Sequence, residues 1–316
     1  MERTKQEYLQ DVLESYRMKH VEDLVNKHRS NRDEVKEALE RKYSSKIYNP
    51  INSGSFAKHT AINTKFDLDI AVPFKKDSFA TIEKMFEDVY DFLDYEYHGR
   101  ASIRKQKVSI GMEFFPDSDG DRISLDIVPG RELNANQYSA DKNMNLYVQS
   151  LYGIMSKSTY IQTNIQAQID HIKAKESERK IIRLLKIWKN RNYKNYKSFL
   201  LELLVIKAFE KENITGNFWV QLKEVMKYIQ NNVAQQGFSL KDPGNSGNDV
   251  INTLNDSERF TLSNEVKTII ENIESNENSI KLYFPENDNF KVTSSRVYGV
   301  NTIGSYSTPP NNQRFG

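Results

Sequence analysis

Apolar residues across positions 3–45 recur at helical spacing. Leu9, Val12, Leu13 and Tyr16 form one stripe and Val21, Leu24 and Val25 another, which predicts two helices. Ser30-Asn31 is where the pattern is expected to break before Val35 and Leu39. The repeat is too short and irregular for a coiled coil and reads instead as a helical spine bracing the rest of the chain. From residue 66 the period changes to two. Phe66, Leu68, Ile70 and Val72 alternate with Asp67, Asp69 and Ala71, so a strand here puts both carboxylates on the face opposite the core. Further on, Ile123, Leu125 and Ile127 alternate with Ser124, Asp126 and Val128, and Val108, Ile110, Met112 and Phe114 alternate upstream. The turn-rich stretch Pro116-Asp-Ser-Asp-Gly-Asp121 separates the two runs. Residues 107–128 therefore predict a β-hairpin whose Asp126 reaches the sheet face that carries Asp67 and Asp69.

The period returns to that of a helix in the second half. Residues 171–197 carry ten Lys or Arg and two Glu. On a helix, Ile181, Leu184, Leu185 and Trp188 form one stripe and Arg179, Arg183 and Lys186 another, roughly opposite. That second stripe is either a solvated basic face or an anion site. Phe199–Phe209 is apolar except for Glu202 and Lys207 and predicts a helix buried on most sides. Ser198 stands at its N-cap, where free N–H groups favour an anion, although a plain structural cap fits as well. Asp242-Pro-Gly-Asn-Ser-Gly-Asn248 is a loop by composition. Residues 250–275 read as helix through Leu254, Phe260, Val266, Ile269 and Ile270. Tyr193 and Tyr196, beside the basic run, read as core or surface residues, with stacking on a base as the alternative. Residues 291–316 turn polar and rich in Ser, Asn, Gly and Pro and are expected to be extended or disordered.

Chemistry enters through three carboxylates. Asp67, Asp69 and Asp126 on one sheet face, with the Gly54-Ser55 turn a dozen residues upstream, form a candidate site for metal ions that carry phosphates. Each acid alone could be an ordinary solvent-facing residue; the combination is far more specific. Three carboxylates suit two Mg²⁺ ions roughly 3.5–4 Å apart, which stabilise the attacking and leaving oxygens of a phosphoryl transfer. In that reading Asp67 and Asp69 bridge both ions and Asp126 holds the ion that activates the attacking hydroxyl. Mn²⁺ would serve in place of Mg²⁺.

Composition mainly excludes. At 316 residues the chain is long enough for two lobes, and a net charge of +2 gives no strong pull toward nucleic acid. Absence of cysteine rules out disulfides and thiolate zinc sites. The five histidines are scattered without ligand spacing, and there is no Walker A sequence. Asp117-Ser-Asp-Gly-Asp121 hints at a calcium loop, but Arg122 stands where an EF-hand needs Gly and Val128 where it needs Glu. The charged start and the lack of a long apolar run lead to the expectation of a cytoplasmic protein without a secretory signal or membrane span.

Together these motifs resemble DNA polymerase β-type nucleotidyltransferases and, more narrowly, the bacterial CD-NTases related to cyclic GMP–AMP synthase and oligoadenylate synthetase. The matching text is Gly54-Ser55, Asp67-Leu-Asp69, Leu125-Asp126-Ile-Val-Pro129, Ile182-Arg-Leu-Leu-Lys186-Ile-Trp, Ser198-Phe-Leu-Leu-Glu-Leu-Leu204 and Asp242-Pro-Gly-Asn-Ser-Gly-Asn248, spanning residues 53–248. The resemblance implies an α+β fold: a nucleotidyltransferase lobe with a twisted mixed β-sheet, an N-terminal helical spine and a C-terminal helical lobe, with the active site in the cleft between lobes. It places spine and catalytic core at 1–150, a helical nucleotide-binding lobe at 151–290 and a tail at 291–316. It implies an enzyme that joins nucleoside triphosphates into a cyclic oligonucleotide, more readily a dinucleotide than a trinucleotide. This signal would activate a cyclic-nucleotide-responsive effector in antiphage defence. By the same resemblance Lys186 and Ser198 bind the donor triphosphate, and Asp242 and Asn248 belong to a loop closing over the nucleotide. The family pattern often has two adjacent Asn there, whereas Asp249 follows Asn248 here. Some relatives are joined through their C-terminus to a target, which makes Gly316 a candidate conjugation point. No zinc ribbon of the kind used by the animal DNA-sensing relative is present. Two rivals stay open: a nucleotidyltransferase modifying RNA, a small molecule or a protein, and a catalytically silent nucleotide-binding module.

Overall fold

Helix α1 (Lys5–Ser15) begins in a capping box, in which Thr4 Oγ1 accepts from the Glu7 N–H and the Glu7 carboxylate accepts from the Thr4 N–H. A 3₁₀ turn, Met18–Val21, separates it from α2 (Glu22–Tyr43). Two helices therefore form as expected, but the break falls before Val21. Helix α2 runs unbroken through Ser30-Asn31, because the Asn31 side chain donates to the Lys27 carbonyl one turn back, at 2.9 Å, and so fits the helix. The computed structural model describes residues 3–149 and 159–291, and the chain divides into two compact units.

The first unit runs from Val21 to His171. After α2 come β1 (Ile51–Ser53), the single-turn α3 (Gly54–Ala57) and β2 (Leu68–Phe74). Helix α4 (Ile82–Glu96) follows, N-capped by Thr81, then β3 (Ala101–Lys105), β4 (Ile110–Phe114) and β5 (Ser124–Glu132). The unit closes with α5 (Tyr138–Asp141), β6 (Met144–Val148), β7 (Thr159–Thr163) and α6 (Ile165–Lys173). Strands pair in the order β1-β2-β5-β4-β3, with β6 added to β5 and β7 to β6. The pairing β2–β5 is parallel and the others are antiparallel, so the sheet is mixed. The hairpin expected over 107–128 is present as β4–β5, with Ile110 opposite Ile127.

Alternation along β2 and β5 sends Leu68, Ile70, Val72, Leu125 and Ile127 into a core shared with Val35 and Leu39 of α2 and Met85, Phe86, Val89 and Leu93 of α4. The opposite face is not open to solvent as the alternation suggests. Ala71 and Val128 pack there against Tyr138, Met144, Leu146 and Ile165, and every residue of β2 is buried. Strands covered on both faces read as near-continuous apolar runs, and a carboxylate within them is correspondingly conspicuous.

Among the described residues the second unit holds α1 and the chain from Ile172 to Lys291. It contains α7 (Glu176–Arg191), α8 (Ser198–Lys211) and α9 (Phe218–Asn232), then β8 (Lys241–Asp242), β9 (Asn245–Asp249), α10 (Asp256–Ser275) and α11 (Ile280–Tyr283). Ile181, Leu184, Leu185 and Trp188 of α7 are buried as their stripe predicts, and Tyr196 stacks on Trp188 at 5.9 Å while Tyr193 lies exposed. The helix expected over 250–275 starts later, at Asp256, after a 3₁₀ turn, and Phe260 is exposed rather than in its core. Among the described residues no helix is long and apolar enough to cross a membrane. Expectations for 291–316, Gly316 included, fall outside the described residues apart from Lys291.

Candidate active site

Strand β1 hands the chain to α3 through Gly54, and the antiparallel register places Ser53 opposite Asp69. Gly54 adopts φ +70°, and a Cβ built on it would lie 1.5 Å from Asp69 Oδ2. The Gly54-Ser55 turn therefore rests directly on the carboxylate, and only glycine leaves room for it. Just past α3, the Thr60 N–H donates back to the Ser55 carbonyl at 2.9 Å, and His59 turns the chain at φ 56°.

Parallel pairing of β2 with β5 sets Asp69 beside Asp126. Asp67 stands one residue before β2 rather than within it and is half-buried, whereas Asp69 and Asp126 are only 2% and 6% exposed. One carboxylate oxygen from each of the three lies within 4.8 Å of the others. Burial, then the charge of Asp67, push Asp126 up to about 7, against the pull of Arg104 and a hydrogen bond from Gln106. Crowded, dehydrated carboxylates of this kind are costly unless a cation shares them. The donor set is all carboxylate oxygen at close spacing, which fits a hard divalent ion. Lys65 is also desolvated, and burial pushes its ammonium below its ordinary value against the pull of Asp67.

A second acidic group, Asp117, Asp119 and Asp121, gathers instead around the Lys27 ammonium at 2.7, 2.7 and 2.6 Å. Here a lysine ammonium stands among the three carboxylates in a surface ion-pair network.

The remaining predicted residues belong to the other unit. Ser198 is the first residue of α8 with Lys197 at the cap position, so it is not the capping residue. Its hydroxyl accepts from the Lys189 ammonium at 2.9 Å. Lys189, absent from the sequence reading, is 1% exposed, and Lys186 one turn earlier is also buried. The basic stripe of α7 is thus no solvated face at Lys186. Asp242 to Asn248 is not an irregular loop but a two-stranded ladder, β8–β9. Buried Asp242 accepts from the Gly244 N–H at 2.7 Å and from the Asn248 side chain at 3.2 Å. Asp249 accepts from the Leu240 N–H at 2.7 Å and ties the base of this turn. A carboxylate, which only accepts, fits that role where an amide would also bring donors.

Sequence reasoning also missed Gln106, whose amide donates to Asp126 at 2.9 Å. No spacing signal marks it, because it lies in the turn between β3 and β4.

A mixed sheet with paired acids on adjacent strands and a Gly-Ser turn against them defines the nucleotidyltransferase fold. Residues 4–150 match the Second Messenger Oligonucleotide or Dinucleotide Synthetase domain, so this segment carries the catalytic domain of a CD-NTase and the chain is a nucleotidyltransferase enzyme. Solved structures agree in fold. Escherichia coli MS115-1 CdnC with ATP is 20% identical, covering 82% of this chain and 87% of that one at a TM-score of 0.61. The STING-associated CdnE c-di-GMP synthase of Capnocytophaga granulosa is 19% identical over 80% and 82% of the two chains, with a TM-score of 0.60. Vibrio cholerae DncV cyclic AMP-GMP synthase, bound to a linear intermediate, is 13% identical over 78% and 69%, with a TM-score of 0.58. Among curated protein sequences, none matches.

Proposed function

We propose that this enzyme condenses nucleoside triphosphates into a cyclic oligonucleotide, a cyclic dinucleotide first of all, and releases pyrophosphate. The observation that carries the reading is the cluster of Asp67, Asp69 and Asp126 beneath the Gly54-Ser55 turn. These carboxylates would hold two divalent ions, Mg²⁺ or Mn²⁺, which when bound stabilise charge on the attacking and leaving oxygens. Gly54 and Ser55 would line the donor's phosphates, with Lys186 and Ser198 on the triphosphate and Asp242 and Asn248 near the nucleotide. Lys189 joins this set by its contact with Ser198 and would hold the hydroxyl in one orientation. A ribose hydroxyl of the acceptor attacks the donor's α-phosphate, a new P–O bond forms, and the bond to pyrophosphate breaks. The linear product then rebinds reversed, and its free hydroxyl closes the ring in the same way.

Support for a cyclic rather than a chain-extended product comes from the relatives. DncV was solved with the linear intermediate pppA(3′,5′)pG, and CdnE from C. granulosa is a c-di-GMP synthase. CdnC was also solved in complex with HORMA-deltaN. We place the present enzyme in antiphage signalling, with its product acting on an effector, on the resemblance of its motifs to the bacterial CD-NTases. Intact acids at all three positions oppose a silent nucleotide-binding module. Asp67→Ala, Asp69→Ala and Asp126→Ala are each expected to abolish pyrophosphate release while the circular dichroism spectrum stays that of the parent. Substantial product from folded Asp69→Ala would refute the site.

A further inference from the structure

We propose that Gln106, locked by Ser109, is a positioning residue that aims Asp126 and sets the affinity of the carboxylate cluster for a divalent ion, an inference that rests on the function proposed above. Gln106 and Ser109 flank the turn between β3 and β4. The Gln106 N–H donates to the Ser109 carbonyl at 2.8 Å, closing the turn. The Ser109 hydroxyl then donates to Gln106 Oε1 at 3.0 Å. With its oxygen occupied, the amide can present only Nε2 in the other direction, and Nε2 donates to Asp126 Oδ1 at 2.9 Å. Both Gln106 and Ser109 are buried, so the chain Ser109–Gln106–Asp126 lies away from bulk solvent.

A second observation shows that the sheet makes room for this contact. Asp126 pairs across the antiparallel ladder with Gly111 of β4. A Cβ at Gly111 would lie 2.3 Å from Gln106 Nε2 and 3.1 Å from Arg104 Nε. The amide thus passes over the one residue of β4 without a side chain to reach a carboxylate on the next strand. Any other residue at 111 would push the amide off Asp126.

What the contact does follows from the burial of the carboxylate. A neutral amide donor holds a carboxylate oxygen in place and adds no charge that would repel a cation. An Arg in its place would neutralise the carboxylate and compete with the ion. By holding Oδ1, Gln106 also restrains rotation of the carboxylate within the cluster. Groups that orient a metal-binding side chain in this way are worth roughly 10–100-fold in metal affinity.

The test is Mn²⁺ binding to the purified full chain without nucleotide, read by the loss of the free-ion electron paramagnetic resonance signal. Gln106→Met keeps the volume and removes the donor. It is expected to weaken binding by roughly 10–100-fold while its thermal midpoint stays close to that of the parent. Ser109→Ala frees the amide to turn and should shift affinity the same way by less, so the inference stays testable if Gln106→Met does not fold. In turnover the loss should be recovered by raising Mn²⁺ while the metal-free thermal midpoint stays at that of the parent, which separates weakened binding from lost stability. Asp126→Asn is the control. If Asp126→Asn loses Mn²⁺ but folded Gln106→Met binds within twofold of the parent, the role of Gln106 is overturned and the site stands. If Asp126→Asn also binds like the parent, the site itself is wrong and the inference falls with it.

Discussion

Replacing Gly54 with alanine perturbs the site by a single methyl group. The added Cβ would stand 1.5 Å from Asp69 Oδ2 and 2.4 Å from its Cγ, whereas non-bonded carbons and oxygens need more than 3 Å. The carboxylate must therefore move by about 1.5 Å or more, or the turn must lift away from it. At φ +70° the alanine backbone is itself strained, by about 1–3 kcal/mol. Displacement of reacting groups by about 1 Å costs on the order of 100-fold in rate, equivalent to about 2.7 kcal/mol of barrier. Gly54→Ala is thus expected to lower kcat/KM for pyrophosphate release by at least about 100-fold, with a loss of stability near the strain figure. Gly99→Ala separates the two effects. Gly99 has φ +75° with nothing within 4 Å of an added Cβ, so it should lose stability but keep activity. Gly54→Ala within about threefold of the parent would refute the claim that this turn rests on a working carboxylate.

Other consequences follow from individual groups. Asp126, pushed up to about 7 by burial and by Asp67, keeps a proton in the folded state that the unfolded chain releases at lower pH. Stability from this group is therefore full below the ordinary carboxylate value and declines as pH rises toward about 7. Metal-free Asp126→Asn should melt higher than the parent at pH 8 and match it near pH 4; an unchanged melting point at pH 8 would contradict the burial argument. His59 holds φ 56°, so His59→Gly should gain about 1 kcal/mol in urea unfolding, and no gain would show the turn to be unstrained. Buried Glu132 accepts from the N–H groups of Lys76, Asn136 and Tyr138 and from the Tyr48 hydroxyl. Burial alone would raise it, but these bonds together hold it below its ordinary value, so its contribution is present at neutral pH and lost as pH falls through the folded value. Glu132→Gln should cost about 1.5–3 kcal/mol at pH 7 and remove part of the acid sensitivity; unfolding curves that superimpose with the parent at pH 7 would argue against it.

Much of the catalytic half was legible because period two and a carboxylate leave a local mark. Asp69 and Asp126 could be set on one sheet face from alternation, whereas Asp67 joins them from one residue before β2; the β4–β5 hairpin followed from its turn residues. Their burial could not be read, because it depends on Tyr138, Met144 and Ile165 returning from later in the chain to cover that face. The helical half was harder. Ser198 looked like a cap by residue type, yet its hydroxyl is taken by Lys189, a tertiary contact that periodicity assigns no role. Asp242 to Asn248 has the composition of a loop, yet it pairs as a ladder braced by hydrogen bonds to the Asp242 and Asp249 carboxylates. Asn31 misled in the other direction, as a polar residue that accommodates the helix by bonding back to Lys27. Gln106 carries no pattern at all and becomes visible only once β4 and β5 are paired.

Incubation of the purified chain with all four ribonucleoside triphosphates and Mg²⁺ or Mn²⁺, then phosphatase treatment and mass spectrometry, tests the central claim most directly. The account predicts a phosphatase-resistant oligonucleotide with the mass of a closed ring, absent when Asp69 is replaced by alanine. Linear products only, all removed by phosphatase, or a ring formed equally well by folded Asp69→Ala, would contradict it.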